Sequence, residues 1–238
     1  MENQQQPEAI TTVQNSAVGS SWKGIVQVFY APSQLFEFIK ERPKVLVPWL
    51  VFFALILVFM VLAADLIAKL QLEIMQEKAA ESGGVAGPMP SLEMMKYSTI
   101  IGGTIVMMLS PLIAAGLAYF FGSFIMAGKA TFKQLLSVML YGEIIFALGA
   151  IVLAPLMLAK QSLRVSLSLA AFFKNLAIDN PWYLAASKIG VFYIWEIIVI
   201  GIGLSIIYGF PRNKGYLLAV LSMGMISVLH VLSQFIFG

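Results

Sequence analysis

Long apolar runs dominate this chain, separated by short stretches that are polar or rich in glycine and proline. Five runs have room for helical membrane spans, each of which needs about 20 apolar residues: 45–64, 99–127, 135–159, 183–208 and 216–237. The first is entered by Lys40, Arg42 and Lys44 and ended by Asp65. A mixed-charge connector is expected over 65–98, where Gly83, Gly84, Gly87, Pro88 and Pro90 break any helix. Pro111 predicts a kink in the second span. Thr131 and Gln134 fit a capping box, whose side chains satisfy the free amides where the third span begins. Asn180-Pro181 is a start signal for the fourth, since asparagine suits the cap and proline the first helical position.

Shorter apolar patterns flank the spans. Trp22, Ile25, Val26, Phe29 and Tyr30 recur on one helical face. Ser33 can then cap a second turn carrying Leu35, Phe36, Phe38 and Ile39. Both segments are too short and too charged to span, which predicts helices lying flat among the headgroups. Residues 160–178 fit neither period cleanly and are read as a third surface-lying helix. Residues 1–21 are polar and lack the basic start of a signal peptide, which predicts an uncleaved, disordered cytosolic tail. The remainder, 22–238, forms one all-α domain, a five-helix polytopic bundle with short interfacial amphipathic helices.

Composition makes the membrane reading firm. Of 238 residues, 60% are apolar and 11% charged, and the mean hydropathy is +0.88. Soluble domains carry about 25% charged residues, so lipid must solvate most of this surface. With no cysteine and a single histidine, neither a metal site nor a disulfide is expected. No Gly-x-Ser-x-Gly elbow and no phosphate loop is present, so no cofactor, no nucleic acid and no catalysis are expected. The thirteen methionines are scattered in apolar context and read as adaptable core filling.

The placement of charge gives the orientation. Eight lysines and arginines fall on the N-terminal side and seven on the other, a near balance. However, the two shortest loops hold only basic residues, which sets the N-terminus in the cytoplasm and the C-terminus outside. Lys40, Arg42, Lys44, Lys129, Lys133, Arg212 and Lys214 then face the cytoplasmic surface as candidate contacts for anionic headgroups.

Two carboxylates remain inside apolar runs, Glu143 and Glu196. A charge at mid-bilayer costs about 3 kcal/mol on insertion scales, so such residues face the bundle interior and are functional candidates by default. Helical rise places Glu196 and His230 at similar depth, with Gln234 one turn beyond, and predicts one intramembrane polar cluster. Three roles are open to it: a clamp between helices, a proton or substrate relay, and a snorkelling group at the interface. Gly201, Ser205 and Gly209 repeat every four residues and predict a helix-packing stripe, and Gly102, Gly103, Gly142 and Gly149 admit the same reading.

Three stretches carry a likeness to a known family: Ala31-Pro32-Ser33-Gln34-Leu35-Phe36, residues 128–136, and Phe192-Tyr193-Ile194-Trp195 leading to Gly201-Ile202-Gly203-Leu204. In order and position the chain resembles the Yip (Ypt-interacting protein) family of five-span membrane proteins, especially its small prokaryotic members. The resemblance implies the fold and topology. Eukaryotic members are associated with Golgi and endoplasmic reticulum trafficking and with prenylated Rab-type GTPases. This sequence lacks their long cytosolic domain and their Tyr-Gly signature, so a Rab-type GTPase is not an expected partner. The expected function is a non-catalytic multi-pass scaffold, organiser or accessory partner in the cytoplasmic (inner) membrane. The alternative is a small transporter or an accessory subunit of an export complex, with a polar path through the membrane. Expected partners are the lipid bilayer, other membrane proteins or a second copy.

Overall fold

The computed structural model describes residues 21–81, 89–173, 175–176 and 180–237. The tail expected over 1–21 therefore lies outside the described residues, apart from Ser21. Helices run in the order α1 (Ser21–Tyr30), α2 (Pro32–Glu41), α3 (Leu46–Glu81), α4 (Leu92–Tyr119), α5 (Phe132–Lys160), α6 (Pro181–Ser187), α7 (Val191–Tyr208) and α8 (Arg212–Phe237). A π-helical turn, Phe120–Ile125, continues α4, and a 3₁₀ turn, Leu169–Phe172, lies between α5 and α6. Among the described residues, α3, α4 with its π turn, α5 and α7 are long and apolar enough to cross a membrane. Much of the second half of α8 has side chains outside the described residues.

The first span does not stop at Asp65. α3 continues for 36 residues in all, about 54 Å of helix against a hydrocarbon core of about 30 Å. The described part of the 65–98 connector is thus largely helical, the end of α3 and the start of α4. Asp65 ends the apolarity but not the helix, because the residues after it are strong helix formers and its charge is paired. Lys69 lies 2.8 Å from Asp65 one turn on, and Lys96 of α4 lies 3.8 Å away. Higher up, Thr99 donates to Gln71 of α3 at 3.1 Å. Ser91 caps α4 by accepting from the Met94 amide, which starts that helix well before residue 99.

α5 begins on the expected capping box of Thr131 and Gln134. Among the described residues of the segment after it, the only helical stretch is the 3₁₀ turn Leu169–Phe172, not the surface-lying helix expected. Gln161 takes a left-handed φ of 47°, and the chain then crosses back so that Ser168 pairs with Gly190 in an isolated antiparallel bridge. The fourth span is correspondingly broken. Asn180 caps α6, accepting from the Trp182 amide at 2.9 Å, but α6 stops at Ser187 and α7 restarts at Val191 from an extended Gly190.

α2 turns its apolar face to the bundle, whereas the apolar face expected on α1 stays largely at the surface. Val28, Leu35, Phe36 and Ile39 are 2% exposed or less. Phe36 lies against Gly203, and the Phe29 ring meets Trp195 edge-on at 5.7 Å. Trp22, Val26 and Tyr30, three of the five residues of the apolar face expected on α1, remain exposed.

Candidate intramembrane polar site

α5 and α7 pack closely because glycines line their contact. A Cβ at Gly142 would strike Ile200, one at Gly149 would strike Phe192, and one at Gly203 would strike Val138. Into this seam the sequence places two acids. Glu143 follows Gly142 on α5, about 17 Å above the start of that helix, and Glu196 lies about 18 Å above the Tyr208 end of α7. They are 4% and 1% exposed. A Cβ at Gly142 would lie 3.7 Å from Cγ of Glu196, so the two acids flank the same point of the seam.

Their partners come from two further elements. Ser110 of α4, just before Pro111, donates to Oε1 of Glu143 at 2.9 Å. Lys188, half-buried in the break between α6 and α7, lies within Coulombic reach of both carboxyl groups. Oε1 of Glu196 has no hydrogen-bond partner among the described residues, nor has the buried Thr104 hydroxyl. The cluster is therefore two carboxyl groups with a serine hydroxyl on one of them, and a lysine within electrostatic range of both but, among the described residues, in an ion pair with neither.

The side chains of His230 and Gln234 lie outside the described residues, so their expected pairing with Glu196 is not part of this geometry. Sequence reasoning missed Lys188 by placing it with the outer loops. A signal was present: residues 188, 192 and 196 follow at four-residue spacing, and the break before Val191 does not remove Lys188 from the side of Glu196.

The small-residue stripe on α7 divides into two roles. A Cβ at Gly201 would lie 3.0 Å from Cα of Tyr216, and one at Gly215 would lie 2.6 Å from Cβ of Ser205. Gly201 and Ser205 thus bring α7 against α8. Gly209 does not pack, since a Cβ there would meet nothing within 4 Å. It ends α7 in the left-handed region at φ +70°, where a residue without a Cβ is unstrained.

The basic residues gather at the end of the bundle opposite the 160–190 segment. Gln134 donates to the Lys40 carbonyl and Ser137 to the Lys44 carbonyl, each at 2.6 Å, which ties the start of α5 to the α2–α3 junction. Lys40, Arg42, Lys129, Lys133 and Lys214 are exposed there, and Lys44 is half-buried. Arg212 is exposed too, but its guanidinium donates to the Ile202 carbonyl at 3.2 Å and to the Ser205 and Ser33 hydroxyls at 3.1 Å each. It straps α2 to α7 and α8.

Sequence missed a further feature at this end, the π turn. Its wider hydrogen-bond register leaves the Ala118 carbonyl to the Tyr208 hydroxyl, which donates to it at 3.0 Å and lies 3.2 Å from the Ser123 hydroxyl. Gly122 gives the tyrosine ring its room.

Apolar helices long enough to span, an acid pair sealed within them and a basic end define a polytopic helical membrane protein. Comparison with known proteins gives the family: residues 26–234 match the Yip1 domain, and the chain belongs to the Yip1 family. It is also similar to a Bacillus subtilis (strain 168) protein described as membrane protein YknW, at 27% identity over 93% of this chain and 94% of the relative. No solved structure matches.

Proposed function

We propose that this chain is a non-catalytic scaffold or accessory subunit of the cytoplasmic membrane, and that its buried carboxyl pair clamps the helices together. α8 serves as the fifth span in this reading, with the N-terminus in the cytoplasm and the C-terminus outside. The observation that carries it is the closure of the polar site: Glu143 and Glu196 are buried on the α5–α7 seam, and the 230 Å3 crevice nearby is lined by neither. A transported solute needs a wet route to such groups, whereas a clamp needs the reverse. Lys188 is what favours the transport alternative, since a third charge would let a proton pass between sites. The clamp accounts for it too, because a cation near two acids offsets charge that lipid tolerates badly.

Purification of the full chain from native membranes in a mild detergent tests the proposal. A membrane protein co-eluting in fixed ratio, or a discrete self-association, is expected. A monomer that elutes alone and carries solute across reconstituted vesicles would overturn it.

A further inference from the structure

On the side of the bundle away from α1 and α2, a crevice of about 230 Å3 lies among α3, α4, α5 and α7. Met60, Met107, Phe146, Leu153, Met157 and Phe192 form much of its wall. Ser166, Ser168 and Ser187 gather where the crevice meets the segment after α5. That end is built rather than incidental. The Leu169 amide donates to the Ile189 carbonyl at 3.0 Å and the Val191 amide to the Leu167 carbonyl at 2.9 Å, pinning the segment across the start of α7.

Size and surroundings narrow the occupant. The volume is below the roughly 300–1,000 Å3 of pockets for drug-sized ligands, which leaves room for something slender. Along α5 the lining runs from Phe146 to Met157, eleven residues or about 16 Å. That is close to one leaflet, half of a hydrocarbon core of about 30 Å. The α5 residues Leu148, Val152 and Leu156 interleave with the lining residues and are themselves exposed, so the crevice borders the lipid-facing surface. Methionine walls adjust to a flexible guest. The polar end falls where the apolar run of α5 finishes, at the level of the ester groups of the leaflet opposite α1 and α2.

We propose that the crevice binds one acyl chain of a phospholipid from that leaflet, with the ester end beside Ser166, Ser168 and Ser187. The site needs only that the protein is embedded in a bilayer, so it stands or falls apart from the scaffold reading.

The test reconstitutes the full chain in phospholipid vesicles containing a phosphatidylcholine with a diazirine midway along one acyl chain. After photolysis, labelled peptides are mapped by mass spectrometry. Label should concentrate on Met60, Met107 and Met157 over the outward-facing Val106 and Val152. Ala150→Phe, which fills the crevice from its half-buried wall, should lower labelling at Met107 about tenfold, the loss of about 1.4 kcal/mol of binding, and leave Val106 unchanged. Equal labelling of Met107 and Val106 in the wild-type protein would overturn the proposal, and so would indifference to Ala150→Phe. Should that variant fail to fold by gel filtration, the wild-type map decides alone. A parallel arm uses a free diazirine fatty acid, and labelling of the crevice by that probe but not by the phospholipid would also overturn it.

Discussion

Glu196→Lys will collapse the bundle, while Glu196→Gln will leave it folded. The side chain lies about 18 Å inside α7, is 1% exposed and is within electrostatic range of Lys188. A lysine at position 196 sets two ammonium groups against each other where water cannot screen them. A lysine at the centre of a span costs about 3 kcal/mol on insertion scales, and an uncompensated buried charge costs about 3–5 kcal/mol. Either is a large share of a total stability of about 5–15 kcal/mol. Glutamine keeps the length and shape, and Oε1 of Glu196 gives up no hydrogen bond that the structure shows. Thermal unfolding in detergent, followed by tryptophan fluorescence, should show Glu196→Gln within a few degrees of wild type and Glu196→Lys aggregated at purification. Equal effects from the two substitutions would mean that charge at this position is not what matters.

Gly201→Leu is the second large effect. Tyr216 closes over Gly201 with its backbone as well as its ring, leaving Cα 3.0 Å from where a Cβ would be. A ring can rotate away, but a helix backbone must translate, and moving α8 would also part Gly215 from Ser205. Overpacking of this kind costs about 1–3 kcal/mol, sometimes more. The unfolding midpoint should fall by several degrees, at about 2–4 °C per kcal/mol for chains of this size. Gly209→Leu also destabilises, but for a different reason: the left-handed φ. Gly209→Asn, which tolerates that conformation, should recover much of the loss, whereas Gly201→Asn should not.

These contrasts show what the sequence could convey. Local chemistry was legible wherever a few adjacent residues decide the outcome. Thr131 with Gln134 and Asn180 with Pro181 mark helix starts because the capping bonds form within one turn. The apolar runs located four span-capable helices among the described residues, because spanning asks chiefly for length and composition. Asp65 looked like an end because it ends the apolar run, although its i,i+4 partner Lys69 and the helix formers after it were legible; only its second partner, Lys96, comes from another helix. Other errors arose where a distant partner decides. The docking of α2 was not legible because the same apolar face serves lipid and protein equally, and its contact with Gly203 comes from another helix. Arg212 looked like one basic loop residue among seven until Ser33 and Ser205 were brought beside it. The acid pair was visible as an anomaly of composition. The partners that define it, Ser110 and Lys188, follow from packing.

The account turns on whether water reaches the Glu143–Glu196 pair, and the absence of native cysteines makes that directly measurable. Ser110→Cys places a single thiol where the hydroxyl now donates to Glu143. In membranes with both faces accessible, a charged methanethiosulfonate reagent should leave that thiol unmodified under conditions that label Lys129→Cys fully. Modification of Ser110→Cys at a rate comparable with Lys129→Cys would reveal an aqueous path to the acids, contradicting the sealed clamp and favouring transport.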